Sequence, residues 1–218
     1  IETLKECQGK YIALCEGDDY WLDQYKLQKQ VDFLEKNTNY KMSYHRVSIE
    51  IEGRLVSDAK DITEIRYNKI ENKNSLDVYQ LLKYGNFIHT ASVVFKKELV
   101  SDLPNEFIYS TVGDYFLYII ITYKGGLIHK LDDRMAVYRR GVGIYSSLDS
   151  ITMNFSILTY MTCILSFLDD QRMKQIFFKR TLTHINNLKF NYFGDITRAP
   201  FLYKSKRKLI KIWKKIFS

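Results

Sequence analysis

The sequence has few cysteines, few prolines and no strongly apolar run of membrane-spanning length. Its three cysteines, Cys7, Cys15 and Cys163, are widely spaced. An odd number at such spacing predicts neither a disulfide framework nor a metal cluster, and it favours a reducing compartment. The longest strongly apolar run, Ile157–Leu168, has 12 residues, whereas a membrane-spanning helix needs roughly 20. No signal peptide is recognisable at the start, so we expect a cytoplasmic protein.

The composition is that of a globular domain. Hydrophobic residues make up 46% of the 218 positions, which is enough to bury a sizeable core and argues against disorder. The formal net charge of +8 is unevenly distributed, because the last 15 residues carry seven Lys or Arg and no acid. The remainder of the chain is therefore close to neutral.

The order of the predicted elements indicates an α/β core of about residues 1–147, followed by a helical extension over 148–218. Helical spacing continues through residues 22–37, where Leu27, Val31 and Leu34 form an apolar stripe. Residues 40–51 alternate and lead into Gly53, which predicts a hairpin. Further strands are predicted at 11–15, 90–96, 127–131 and 135–140, and further helices at 76–84, 113–124 and, as a pair, within 151–193.

Three carboxylates follow the first apolar strand directly, in the stretch "ALCEGDDYW": Glu16, Asp18 and Asp19. In open α/β sheets, ligands bind outside the carboxyl ends of the strands. A divalent cation relieves the repulsion within such a group, and Mg²⁺ or Mn²⁺ takes one or two protein carboxylates together with phosphate oxygens. The alternative is a solvated acidic turn in which Asp18 caps the next helix.

The stretch "GKYIALCEGDDYWLDQYKLQKQVDFLEKN" resembles the middle of family 2 glycosyltransferases of the GT-A fold, bacterial enzymes that transfer a sugar from a nucleotide diphosphate. In that family an acidic motif at the end of the strand binds the metal and the diphosphate of the donor. The resemblance implies that Glu16, Asp18 and Asp19 contact the donor and that Asp18 and Asp19 bind Mg²⁺ or Mn²⁺. It also implies a mixed sheet flanked by helices.

Two later segments extend the resemblance. "GNFIHTASVVFKKEL" (85–99) resembles the strand on the acceptor side of the family's site, and "STVGDYFLYIIITYKGG" (110–126) resembles the segment that carries the catalytic base. Asp114 falls on that base, which would take the proton of the acceptor hydroxyl during inverting transfer. Without the family, Asp114 reads as an acidic residue that complements the dipole at a helix N-terminus.

The segment "MAVYRRGVGIYSS" (135–147) resembles the closing strand and loop of the family, and makes Arg139 a candidate contact of the diphosphate. An ordinary surface arginine is the alternative. The family commonly has a histidine after this arginine, whereas this sequence has Arg140 there. None of the four histidines, His45, His89, His129 and His184, is an evident substitute. We expect each of them to make an ordinary hydrogen bond in a strand or helix.

The resemblance covers about residues 1–147 and only the latter part of the family's domain. The first strands of the family, which bind the nucleotide, have no counterpart, so we expect an N-terminally truncated transferase domain. The implied function is inverting transfer of a sugar to a glycan or lipid-linked acceptor in the synthesis of cell-envelope or surface polysaccharide. The alternative is a non-catalytic, membrane-associated module that retains part of the fold.

The basic tail predicts an amphipathic helix over residues 202–217, with Leu209, Ile212 and Trp213 on its apolar stripe. Such a helix is typical of peripheral attachment to an anionic membrane, here the inner face of the cell membrane. The alternative is a helix that docks this apolar stripe onto the part of the family's domain that has no counterpart in this sequence. Nucleic acid is not expected as a partner, because no recognition motif or aromatic-lined basic patch is present.

Overall fold

The structure is a computed structural model that describes residues 2–57, 61–71, 73 and 76–193, without the side chains of residues 144, 145 and 189–193. The chain divides into two compact units, Ile1–Phe178 and Lys179–Ser218. The first unit contains the sheet and most of the helices. Of the second unit, the structure describes the last part of one helix. The predicted amphipathic helix over 202–217 lies outside the described residues, and the predicted boundary near residue 147 stays a prediction.

The described residues form a mixture of strands and helices, as the sequence predicts. The strands are β1 (Tyr11–Ala13), β2 (Tyr20–Trp21), β3 (Tyr40–Ile51), β4 (Arg54–Val56), β5 (Val94–Lys96) and β6 (Leu127–Arg139). The helices are α1 (Glu2–Glu6), α2 (Lys26–Lys36), α3 (Ile62–Asn68), α4 (Val78–Tyr84), α5 (Asn105–Ile108), α6 (Gly113–Tyr123), α7 (Ile144–Ser147), α8 (Ser150–Phe167) and α9 (Gln171–Phe193). Short 3₁₀ helices cover Thr90–Ser92 and Lys97–Val100.

The strands form one mixed sheet in the order β1-β5-β3-β6-β2, and β4 pairs with β3 as a hairpin. The pairing of β3 with β6 is parallel and the other pairings are antiparallel. The hairpin turn has positive φ at Glu52 and Gly53, 50° and 74°, as a tight two-residue turn between twisted strands requires. The predicted mixed α/β fold and the predicted hairpin are confirmed.

The last strand is a single element, which corrects the prediction of two strands at 127–131 and 135–140. The register against β3 shifts between His45, paired with Leu131, and Arg46, paired with Arg134. Asp132 and Asp133 are therefore extra residues in β6, and both are exposed. The bulge carries these polar residues out of the sheet while the strand continues, which explains why the apolar pattern was interrupted.

The main core lies between the sheet and helices α4, α6 and α8. Helix α6 is buried over most of its surface, and Phe116, Tyr118 and Ile119 are fully buried. This burial fixes the position of its first turn, which carries Asp114. Helix α8 adds Tyr160, Met161 and Ile164 to the same core.

Helix α8 is also, within the described residues, the one helix long and apolar enough to cross a membrane, by length and composition alone. The sequence predicted no such segment, because only the strongly apolar run Ile157–Leu168 was counted. The helix begins earlier, at Ser150, where Asp149 accepts hydrogen bonds from the N–H groups of Ile151 and Thr152.

The buried face of α2 differs from the predicted stripe of Leu27, Val31 and Leu34. Leu34 is fully buried, but Leu27 is 41% exposed, and the helix buries Lys26 and Gln30 instead. The Gln30 Nε2 atom donates to the carbonyl oxygens of Ser43 and Ser92, at 3.2 and 2.9 Å. Hydrogen bonds to neighbouring segments of the fold thus determine which face of α2 is buried. Periodicity along the helix does not reveal such bonds.

Candidate active site

The three carboxylates of the acidic stretch lie in a tight turn between β1 and β2. The N–H of Asp19 donates to the carbonyl of Glu16 at 3.1 Å and closes the turn. Asp19 is buried, Asp18 is half-buried and Glu16 is exposed. Strand β2 then pairs with β6, which brings the turn to the end of β6 that carries Arg139.

Arg139 ties the acidic turn to the sheet through two hydrogen bonds. Its backbone N–H donates to Asp19 Oδ1 at 2.9 Å, and its Nε donates to the carbonyl of Asp18. The arginine therefore supports the turn directly. It also places a positive charge beside the carboxylates, which offsets part of their repulsion.

Asp114 lies in the first turn of α6 and is held by side chains from the segment before β5. Its Oδ2 accepts hydrogen bonds from Asn86 Nδ2 at 2.8 Å and from Thr90 Oγ1 at 3.4 Å. Asn86 is fixed in turn, because its Oδ1 accepts the N–H of Ile88 at 3.1 Å. The carboxylate thus has a defined orientation rather than the mobility of an exposed helix terminus.

The segment around Thr90 differs from the predicted strand over 90–96. Its first part is a 3₁₀ turn, Thr90–Ser92, and the strand begins only at Val94. Ser92 closes the turn, since its N–H and its hydroxyl both donate to the carbonyl of His89, at 3.0 and 2.6 Å. Thr90, the first residue of this turn, donates its hydroxyl to Asp114.

The acidic turn and the first turn of α6 are close enough for the charge of Asp114 to act on Glu16. Desolvation of its carboxyl and the charge of Asp114 raise the pKa of Glu16 to about 7, and Asp19 and Asp18 add to this effect. Burial also raises the pKa of Asp114, against the hydrogen bonds from the Tyr115 N–H, Asn86 and Thr90. The structure therefore brings together Glu16, Asp18, Asp19, Asp114 and Arg139, all five residues that the sequence nominated.

The acidic turn fits a divalent cation in part. Asp19 Oδ2 is buried and, within the described part of the chain, has no hydrogen-bond partner. Among the described residues, no group of three or more His, Cys, Asp or Glu side chains is arranged to hold a metal. Mg²⁺ is commonly bound by one or two carboxylates, with water and substrate phosphate as the other ligands. Two adjacent aspartates with an unpartnered oxygen are consistent with that type of site.

Sequence reasoning missed the polar residues that support the site. Asn86 and Thr90 lie in a stretch that was assigned to the acceptor side, but only the fold shows that both contact Asp114. His89 was expected to make an ordinary bond within a strand or helix. It lies instead just before the 3₁₀ turn, and its Nε2 is 3.0 Å from Asp61 Oδ1. The signal available in sequence was the run of polar residues in "GNFIHT".

Comparisons with known proteins give relatives for part of the chain. No family model matches. An uncharacterized protein of Mycobacterium tuberculosis is 36% identical over 148 residues, which are 67% of this chain and 39% of the relative, and a Mycobacterium bovis protein matches equally. The Escherichia coli UDP-Glc:α-D-GlcNAc-diphosphoundecaprenol β-1,3-glucosyltransferase WfaP is 29% identical over 123 residues, 56% of this chain and 43% of WfaP.

A solved structure shares the fold. The crystal structure of Staphylococcus aureus TarS residues 1–349 in complex with UDP-GlcNAc matches with a TM-score of 0.54 and 14% identity, over 93% of this chain and 56% of TarS. The curved mixed sheet flanked by helices is therefore a glycosyltransferase-like fold. The chain spans less than half the length of the curated relatives that it matches.

Proposed function

Since its fold is glycosyltransferase-like, we propose that this chain forms the catalytic and acceptor-side part of a glycosyltransferase that uses a nucleoside-diphosphate sugar. The observation that carries the proposal is the convergence of four carboxylates from two separate elements. Glu16, Asp18 and Asp19 come from the turn after β1, and Asp114 comes from α6. Carboxylates whose pKa values are raised by burial and by neighbouring charges cluster at functional sites.

Asp114 is the proposed general base. A base for an acceptor hydroxyl must be ionised at neutral pH, fixed in orientation and more basic than a solvated carboxylate. Asn86 and Thr90 fix the orientation of the Asp114 carboxylate, and burial raises its pKa. Asp114 would take the proton of the acceptor hydroxyl as the hydroxyl oxygen attacks the anomeric carbon from the face opposite the nucleoside diphosphate. The bond from that carbon to the diphosphate would break, the nucleoside diphosphate would leave, and the configuration at the carbon would invert.

Asp18 and Asp19 would hold Mg²⁺ or Mn²⁺, and Glu16 and Arg139 would contact the donor beside them. The cation, when bound, would neutralise the diphosphate charge of the donor and leaving group. The residues of the chain keep the turn in place, since Arg139 bonds the Asp19 carboxylate and the Asp18 carbonyl. The unpartnered Oδ2 of Asp19 supports this assignment.

The names of the relatives support a more specific substrate class. WfaP transfers glucose from UDP-Glc to a diphosphoundecaprenol-linked GlcNAc, and TarS was solved with UDP-GlcNAc. We therefore propose a UDP-sugar as donor and a glycan or lipid-linked acceptor of the cell envelope. Such chemistry would take place in the cytoplasm, with the protein peripheral on the inner face of the membrane.

Calorimetric titration tests the proposal. UDP and GDP are titrated, with and without Mn²⁺, into the purified protein with any natural N-terminal sequence retained. We expect Mn²⁺-dependent binding of UDP that Asp18→Asn abolishes and that Asp102→Asn, a change at an exposed aspartate, leaves intact. Absence of nucleotide binding in the wild-type protein would contradict the proposal and favour the non-catalytic, membrane-associated module.

A further inference from the structure

A second polar cluster, centred on Asp61, lies beside the carboxylates. Asp61 is 2% exposed, and its two carboxylate oxygens have different partners. Oδ1 accepts the Thr63 N–H at 2.9 Å and lies 3.0 Å from His89 Nε2. Oδ2 accepts a hydrogen bond from the guanidinium of Arg140. One buried carboxylate therefore fixes two side chains that can carry positive charge.

The Asp61 cluster adjoins the carboxylate site through Tyr138. The rings of His89 and Tyr138 are 4.5 Å apart between centroids. Burial raises the pKa of the Tyr138 hydroxyl, and the charges of Asp19 and Glu16 add to this effect. The charges of Asp61 and Arg140 act on the same hydroxyl. The charges of both the carboxylate site and the Asp61 cluster therefore act on the Tyr138 hydroxyl.

The chain also connects the two groups directly. His89 precedes Thr90, whose hydroxyl donates to Asp114, and Arg140 follows Arg139, whose backbone N–H donates to Asp19. The positive charge of a protonated His89 also acts on the Asp19 carboxyl. Both partners of Asp61 are therefore one residue away from residues that contact the carboxylate site.

The charge balance of the site indicates what the Asp61 cluster binds. A nucleoside diphosphate that enters beside four carboxylates needs donors of positive charge, and more charge develops on it as the sugar leaves. Arg139, the donor contact proposed above, uses its Nε on the Asp18 carbonyl, and a second guanidinium would add to the positive charge that it supplies. Arg140 keeps several N–H donors after binding Asp61, because a guanidinium has five. The Arg140 side chain is 38% exposed, so an anion can reach it.

We propose that Asp61 is a positioning residue that holds Arg140 and His89 as a phosphate-binding pair at the edge of the carboxylate site. The proposal rests on the function proposed above. It extends the site to Asp61, His89 and Arg140, which lie outside the acidic turn and α6. The bound group would be the diphosphate of the donor and of the leaving nucleotide.

The substitution Asp61→Asn isolates the positioning role. Asparagine is as good an N-cap as aspartate, so the bonds of the remaining oxygen to Thr63 and His89 can persist. The new amide N–H₂ group faces the Arg140 guanidinium, and two donors cannot bond to each other. Glu64→Gln is the matched control, because it neutralises a carboxylate of the same helix that pairs with Lys130, at 3.4 Å. Arg140→Gln removes the phosphate-binding charge directly and keeps Asp61.

Binding is measured for three probes in Mg²⁺ buffer: inorganic pyrophosphate, UDP and uridine. We expect Asp61→Asn and Arg140→Gln each to weaken pyrophosphate and UDP binding at least about tenfold, or about 1.4 kcal/mol. Both variants should have lower thermal midpoints, because each breaks the pair between buried Asp61 and Arg140, so binding is compared at a temperature at which every variant is folded. Glu64→Gln should bind as wild type does. Uridine, which lacks phosphate, should bind all four proteins alike, and a general loss of structure would not leave uridine binding unchanged.

The outcomes separate the two proposals. Unchanged pyrophosphate affinity in a folded Asp61→Asn or in Arg140→Gln, or an equal loss in Glu64→Gln, would overturn the role of the Asp61 cluster. Pyrophosphate binding that depends on Arg140, together with no binding of UDP or GDP by the wild-type protein, would contradict the glycosyltransferase proposal and leave the phosphate-binding pair supported. If Asp61→Asn does not fold, Arg140→Gln and His89→Gln provide the same test.

Discussion

Replacement of Asp114 by asparagine should separate catalysis from stability. The variant keeps the shape of the side chain and an oxygen that can accept from Asn86, at present 2.8 Å away. It loses the negative charge and the ability to take a proton. We expect sugar transfer to fall about 10²- to 10⁴-fold, the usual contribution of a general base, while UDP binding persists.

The same substitution should stabilise the folded protein at alkaline pH. The pKa of Glu16 is raised from 4.5 to about 7. This shift corresponds to a loss of roughly 3 kcal/mol in the free energy of unfolding once the carboxyl is ionised. Because Glu16 is exposed as a residue, solvent screening reduces this figure. Asp114 is the largest of the charges that raise the pKa of Glu16. Since desolvation is the larger cause, removal of the Asp114 charge returns only part of the screened figure, on the order of 1 kcal/mol at most.

The sign follows from proton linkage. A carboxyl whose pKa is raised in the folded state keeps its proton to higher pH than in the unfolded chain, so stability falls as the pH rises from about 4.5 to about 7. Urea unfolding of wild type and Asp114→Asn across this interval should show a smaller fall in the variant, both because Glu16 loses a repelling charge and because the raised pKa of Asp114 itself no longer contributes. Asp132→Asn, at an exposed position of β6, is the control. A variant that retains full transfer activity would refute the role of Asp114, and an unchanged pH dependence would refute its coupling to Glu16.

Three further predictions concern the fold. Lys26 is buried without a hydrogen-bond partner for its Nζ in the described residues, and burial lowers its pKa to about 8. Lys26→Met should therefore be more stable than wild type at pH 7, by up to about 3 kcal/mol. It should also lack the rise in stability that wild type shows between pH 8 and 10.5. Equal urea midpoints at pH 7 would contradict this prediction. Gly126→Ala would place the new Cβ 2.9 Å from Lys41 Cβ. We expect the free energy of unfolding in urea to fall by about 1–3 kcal/mol. An unchanged free energy would show that the Lys41 side chain can move aside. Tyr115→Phe removes a hydroxyl that donates to the carbonyl of Leu81 at 2.7 Å and should cost about 1 kcal/mol, measured by thermal unfolding; no change would mean that this bond adds nothing net.

Local patterns in the sequence predicted the elements that depend on local interactions. Alternation and the Gly53 turn predicted the hairpin, because side chains point to opposite faces with a period of two. The apolar run after Asp114 predicted α6 and its buried environment. The acidic stretch marked the turn at the site, since neighbouring carboxylates are visible without any fold.

Long-range contacts were decided by the tertiary structure. Helix α2 buries Lys26 and Gln30 rather than Leu27, because Gln30 finds hydrogen-bond partners on β3 and beside β5. The two strands predicted at 127–131 and 135–140 proved to be one, because β3 continues to pair across the bulge at Asp132 and Asp133. Periodicity describes one segment at a time and contains no information about these neighbours.

The sequence by itself determined the chemistry available to this protein: an acidic turn after a strand, an aspartate at the start of a buried helix, and an arginine at the end of a strand. Only the tertiary structure decided that these groups share one site. Arg139 meets Asp19 across 120 positions and Asp61 meets His89 across 28. Such pairs form because packing of the sheet and helices brings distant segments together, and no spacing along the chain encodes their distance.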